Sequence, residues 1–115
     1  MSLGFSKHLR LLKKAEFDAV FSARASSSDG MLLVYGARNA LGHPRLGLAV
    51  SRKVGNAVAR NRWKRLIREA FRLAQHDLPP LDLVVLPRTT TPNFVAIDRS
   101  LRSLVARLNR RLEAP

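Results

Sequence analysis

The chain has 115 residues, which predicts a single domain over 1–115, and its 21 lysines and arginines against 8 acids leave a net charge of +13. Cysteine is absent, which excludes disulfides, thiolate metal sites and a cysteine nucleophile. There is no apolar run near the ~20 residues of a membrane span and no signal-peptide core in residues 1–10, so the expectation is a cytoplasmic protein with no membrane partner.

In chain order, residues 1–10 read as a mobile leader carrying Lys7 and Arg10. A helix is predicted over 14–23, where Phe17, Val20 and Phe21 fall at i, i+3 and i+4, although Lys13 before it offers no capping oxygen. Residues 26–30 are a small polar loop, with a short extra strand possible before Gly30. A strand follows over 31–38, with Leu33 and Tyr35 on one face and Leu32 and Val34 on the other. A turn over 39–44 leads to a second strand over 45–52, where Leu46, Leu48 and Val50 form a bulky face and Gly47, Ala49 and Ser51 a smooth one. These two strands are expected to pair as an antiparallel hairpin.

Gly55 breaks the strand and Asn56 is a good N-cap for a helix over 57–75. Ala59, Trp63, Leu66, Ile67, Ala70, Phe71 and Ala74 make its core stripe. Asn61, Lys64, Arg65, Arg68 and Arg72 cover the opposite side, with Arg62 at its edge. Arg60 falls beside Ile67 at 100° per residue, so this cation is held against neighbouring structure. Leu83, Val84, Val85 and Leu86 form a continuous apolar run, as in a strand covered on both faces. Asn93 caps a last helix over 94–112, with Ile97, Leu101, Leu104, Val105, Leu108 and Leu112 on its apolar face. The order of elements gives an α+β sandwich with helices packed on one small mixed sheet.

The chemistry concentrates between Arg52 and Arg72, where eight cations face one acid, Glu69. A uniformly cationic helix face repels itself unless an anion covers it, and a polyphosphate is the natural cover. Phe17, Phe21 and Tyr35 form a second candidate: aromatic faces beside cations and the smooth strand face suit unpaired bases in a shallow groove. Each phenylalanine is equally compatible with plain core packing. Catalytic arrangements are missing from the pattern. The acids do not cluster as two-metal hydrolysis requires, and His8, His43 and His76 are not ligand-spaced, so neither catalytic nor metal-ligating residues are expected.

The run Lys53-Val54-Gly55-Asn56-Ala57-Val58-Ala59-Arg60-Asn61-Arg62-Trp63-Lys64-Arg65-Leu66-Ile67-Arg68-Glu69-Ala70-Phe71 resembles the signature helix of the bacterial ribonuclease P protein component. Leu41-Gly42-His43-Pro44-Arg45-Leu46-Gly47-Leu48 and Asp82-Leu83-Val84-Val85-Leu86 agree with it, and Gly42-His43-Pro44-Arg45 and Gln75-His76-Asp77-Leu78-Pro79 resemble its proteobacterial branch. The resemblance implies an α-β-β-β-α-β-α order with a left-handed crossover at the Arg-Asn-Arg helix. It also implies an accessory protein: an RNA subunit with Mg²⁺ removes the 5′ leader of precursor tRNA, while the protein binds that RNA and holds the leader. Carried over by position, Arg52, Lys53, Arg60, Asn61, Arg62, Lys64, Arg65 and Arg68 face the RNA subunit, and Phe17, Phe21 and Tyr35 wall the leader cleft. Mg²⁺ is then held by RNA and substrate phosphates, and the isolated protein is expected to be a monomer. Trp63 stands where the family usually has an aliphatic residue, and Lys13 replaces a capping residue. The competing reading is a ribosomal-protein-like RNA-binding module without an enzymatic partner. A protein of anionic membrane surfaces, using the last helix, is disfavoured because that helix's apolar stripe matches the rest of the core.

Overall fold

The structure is a computed structural model that describes residues 6–113. Helix α1 (Lys14–Ser22) is followed by strands β1 (Ser26–Ser28), β2 (Leu32–Arg38) and β3 (Arg45–Leu48), helix α2 (Ala57–Ala74), strand β4 (Leu81–Pro87) and helix α3 (Phe94–Glu113). This is the α-β-β-β-α-β-α order that the resemblance implied. The four strands form one mixed sheet in the order β1-β2-β4-β3.

The expected hairpin of β2 with β3 does not exist. β4 lies between them, antiparallel to β2 (Val34 opposite Val85) and parallel to β3 (Gly47 opposite Val84). The physical reason lies in β4 itself. Its continuous apolar run needs cover on both faces, which only a central strand obtains, and Leu83, Val84 and Val85 are all fully buried. The loop from β2 to β3 steps across the start of β4: the Asn39 amide donates to the Pro80 carbonyl at 3.1 Å and the Asn39 side chain to Asp82 at 2.8 Å. Because β3 and β4 are parallel, α2 is the crossover that joins them.

The sheet separates two apolar clusters. On one side Leu32, Val34, Leu46, Leu81, Leu83 and Val85 meet Trp63, Ile67 and Phe71 of α2 and Ile97, Leu101, Leu104 and Leu108 of α3. On the other, Val84 meets Leu11 and Val20, with Phe17, Tyr35, Ala37, Ala49 and Leu86 packed around them. Trp63 finds its room in the larger cluster, fully buried, at the cost of an indole N–H that has no acceptor.

Local chemistry sets the ends of the elements. The Asn56 side chain accepts from the Ala59 amide at 3.0 Å and the Asn93 side chain from Ala96 at 2.9 Å, as expected of N-caps. At α1 the cap comes from inside the helix: a Lys13 ammonium cannot accept, and Glu16 turns back to accept from the Leu12 and Lys13 amides, both at 2.8 Å. β3 stops at Leu48, short of the expected 52. Beyond it the Ser51 hydroxyl accepts from the Lys53 amide at 3.3 Å and opens a 3-10 turn, Arg52–Val54. Gly55 ends that turn at φ 135°, a conformation that glycine tolerates.

Of the expected mobile leader, the structure describes residues 6–10. Residues 6–10 are docked: Leu9 is buried, Arg10 bridges to Leu46, and the Leu11 amide donates to the Leu46 carbonyl at 3.0 Å. This segment covers the free edge of β3, whose backbone groups would otherwise stay unpaired. Residues 1–5 of the expected leader lie outside the described residues.

Candidate nucleic-acid interface

α2 presents two flanks and an outer face. Arg60, Lys64 and Arg68 recur every four residues along one flank, and Asn61, Arg62 and Arg65 lie on or beside the outer face. Asn61, Arg62, Arg65 and Arg68 are exposed, as are Arg52 and Lys53 on the 3-10 turn ahead of the helix. Arg60 and Lys64 are half-buried. The Nε of Arg60 is shut away from solvent with no hydrogen-bond partner, so this side chain is pressed against the protein as its place on the helix wheel predicted. Arg72 differs, because Glu69 engages it through two hydrogen bonds. That pairing removes both from the free charge of the face and holds the Glu69 carboxyl below its ordinary range.

The first turn of α2 contains no acid, although acids there are favoured by the helix dipole. Cations and free N–H groups therefore gather at the same end of the helix, an arrangement that suits a bound anion and little else. Val58, Asn61, Arg62 and Arg65 line a shallow depression of about 390 Å³, with Val58 78% exposed. The sequence reading passed over Val58; its spacing of three, four and seven residues from those polar side chains was the available signal. Arg68 lines a second recess, of about 160 Å³, with Arg10, Leu11, Leu12, Leu46 and Leu48.

The aromatic residues divide. Phe21 is 38% exposed and meets the half-buried Tyr35 edge to face, with ring centroids 5.0 Å apart. Phe17 has a different setting: a Cβ on Gly47 would lie 2.7 Å from its ring, so glycine is what seats it on the sheet. The smooth strand face is therefore occupied at Gly47 by Phe17 and Leu11 and is no open groove there. The open part of this sheet face lies beside α1. By strand alternation its floor comprises Leu33 and Leu86, which pair across the sheet, and Ala49, all half-buried.

One ion network fixes α1 on this face. Arg45 of β3 makes a two-pronged bond to Asp82 of β4 at 2.8 and 2.7 Å and a third bond to Glu16 of α1 at 2.9 Å. The hydrogen bond to Asp82 is the chief reason that Arg45 is held above its ordinary pKa. The Lys13 and Leu12 amides, then Arg45, hold Glu16 below the usual carboxylate range. Among the described residues no group of three or more His, Cys, Asp or Glu is placed to hold a metal ion, and no helix is long and apolar enough to cross a membrane.

A cationic helix on one side of the sheet and a half-open apolar and aromatic face on the other mark a protein suited to dock on polyphosphate. The sequence profile of the ribonuclease P family matches residues 5–109. The chain is 47% identical over 111 residues to the ribonuclease P protein component of Methylococcus capsulatus, covering 94% of this chain and 87% of that one. To its counterpart from Photorhabdus laumondii it is 43% identical over 112 residues, covering 96% and 92%. The Staphylococcus aureus RNase P protein structure superposes with a TM-score of 0.76 at 32% identity, over 89% of this chain and 95% of that one. The Thermotoga maritima RNase P protein does so with 0.77 at 31%, over 85% and 96%. The chain belongs to the ribonuclease P protein family. It is thus an accessory subunit of an endoribonuclease in tRNA processing, a ribonucleoprotein in which its partner is the ribonuclease P RNA. Membership of this family decides against the ribosomal-type module.

Proposed function

We propose that the two surfaces divide the work. Arg52, Lys53, Arg60, Asn61, Arg62, Lys64, Arg65 and Arg68 dock the RNA subunit, and the face walled by Phe17, Phe21 and Tyr35 holds the 5′ leader of precursor tRNA. The observation that carries this reading is that exposed Arg52, Lys53, Arg62, Arg65 and Arg68 follow one another along α2 and its leading turn with no free acid among them, while the exposed aromatic edge lies on the sheet face under α1. Phosphates bind the first surface through charge; unpaired bases bind the second through stacking and apolar contact. Phe17 forms the back of the wall and Phe21 its accessible edge.

Mg²⁺ belongs, in this reading, to the RNA subunit and the substrate phosphates. The donor set of the protein does not suit it: Glu16 and Asp82 are engaged by Arg45, and Asp29 by Ser100 and two backbone amides. The protein works as a cytoplasmic monomer within the ribonucleoprotein.

Two substitutions separate the surfaces. Arg65→Ala weakens RNA-subunit binding and lowers the slope of log affinity against log salt by about 1. Phe21→Ala weakens binding of precursor tRNA to the assembled ribonucleoprotein and leaves mature tRNA binding unchanged. An unaltered salt slope for the first, or equal losses for both tRNAs with the second, overturns the corresponding assignment.

A further inference from the structure

A third surface lies away from both. A cavity of about 330 Å³ opens between the segment after α2 and the side of α3, lined by Asp77, Leu78, Pro79, Arg102, Val105, Ala106, Asn109 and Arg110. Its volume is at the lower end of the range for small-ligand sites, and its make-up is of that kind: an apolar floor with a few polar groups at the rim. Asp77 follows Asn61 by 16 residues of mostly helical chain, about 24 Å along α2 at 1.5 Å per residue. α3 packs on the opposite side of the sheet from α1, so the cavity shares no wall with Phe21 and Tyr35.

The polar groups at its rim have unequal freedom. Arg102 is committed, bonded to Asp98 and Asp77, both at 3.1 Å. Those carboxylates neutralise it and hold its planar guanidinium at the cavity wall. Arg110 at the rim is exposed, as is Arg99 further along the outer face of α3, and neither has a carboxylate partner among the described residues. Asn109 gives one hydrogen bond to Glu113 at 3.2 Å and keeps a donor and an acceptor to offer.

From this arrangement we infer a second single-stranded RNA site, beyond the two surfaces proposed above: an unpaired base enters the cavity and its phosphates lie on Arg110 and Arg99. A nucleobase is flat, uncharged and edged with donors and acceptors. The cavity offers it Pro79 and Ala106 as apolar contacts, the fixed plane of Arg102 for stacking and the Asn109 amide for its edge. The strand that binds here is distinct from the RNA subunit segment on α2, so one protein molecule holds two RNAs at once.

The test uses the full chain saturated with ribonuclease P RNA and a short single-stranded oligonucleotide carrying 4-thiouridine. Crosslinks formed under long-wave ultraviolet light are mapped by mass spectrometry. The expected result is a crosslink within residues 78–79 or 105–110 in addition to any on the α1 face. Arg110→Gln, and separately Ala106→Leu, which fills the cavity and keeps every charge, each lower the α3 crosslink at least threefold and leave one at Phe21 or Tyr35 unchanged. Absence of an α3 crosslink from the RNA-saturated protein, or its indifference to both variants, overturns the site. Loss of the α1-face crosslink alone counts against the leader reading and leaves this one standing.

Discussion

Arg45 holds two carboxylates from two other elements, Asp82 of β4 and Glu16 of α1. Its side chain is 20% exposed and that of Asp82 14%, so removing the guanidinium leaves a nearly buried carboxylate without its partner and Glu16 without its link to the sheet. Arg45→Ala is expected to cost about 2–3 kcal/mol, below the full penalty of a wholly buried pair; a urea unfolding curve within 0.5 kcal/mol of wild type, on the order of an ordinary surface substitution, contradicts this. Acid acts on the same kind of group. Burial opposes ionisation of Asp29, but hydrogen bonds from Ser100, Leu32 and Met31 outweigh it and hold the carboxyl below its usual range, as those to Glu16 do. Carboxylates depressed on folding stabilise fully above their unfolded pKa and lose that contribution as pH falls through the folded one. The urea midpoint should therefore be flat above pH ~5 and fall towards pH ~3. Asp29→Asn should flatten that fall, and equal wild-type midpoints at both ends of the window would remove these carboxylates from the account. Individual residues were unevenly legible in the sequence. The half-buried setting of Arg60 followed from its angle on the helix wheel, whereas the Arg45–Asp82–Glu16 network joins three elements whose adjacency no local pattern encodes.

At the scale of elements, the helix proposed to face RNA depends on its first turn. Asn56 supplies its cap, and no acid supports it there. Asn56→Ala should cost about 1 kcal/mol of stability and weaken RNA-subunit binding by loosening the turn on which Arg60, Asn61 and Arg62 begin. A stability loss with unchanged RNA affinity would show that the helix end need not be preformed. All three helices were readable from their apolar period, and the caps of α2 and α3 from single asparagines. β4 was readable as a strand covered on both faces. What escaped was the end of β3: its last bond to β4 comes from the Ala49 amide to Val85, and the chain then leaves for the 3-10 turn Arg52–Val54, an exit that alternation does not register.

At the scale of the whole molecule, the sequence misleads once. Two strands separated by a short turn normally pair, yet β4 arrives later in the chain and takes the place between them. Central position is a competition among all strands for cover, and the most continuously apolar strand prevails. That insertion makes the site: it sets β3 parallel to β4, routes the connection through α2 and leaves the other sheet face to α1 and its aromatics. The division into a cation surface and an aromatic face was legible as a list of residues, but the seating of Phe17 on Gly47 and the floor of Leu33 and Leu86 needed the strand order.

The role proposed for this protein is to contribute charge and position to a reaction carried by RNA. The most direct measurement is cleavage of precursor tRNA at low Mg²⁺ by the ribonuclease P RNA alone, by the protein alone and by the two together. Rapid cleavage at the mature 5′ end is expected only for the pair, with the gain reduced by Arg65→Ala and Phe21→Ala. Cleavage by the protein alone, or no gain on adding it to the RNA, would contradict the account.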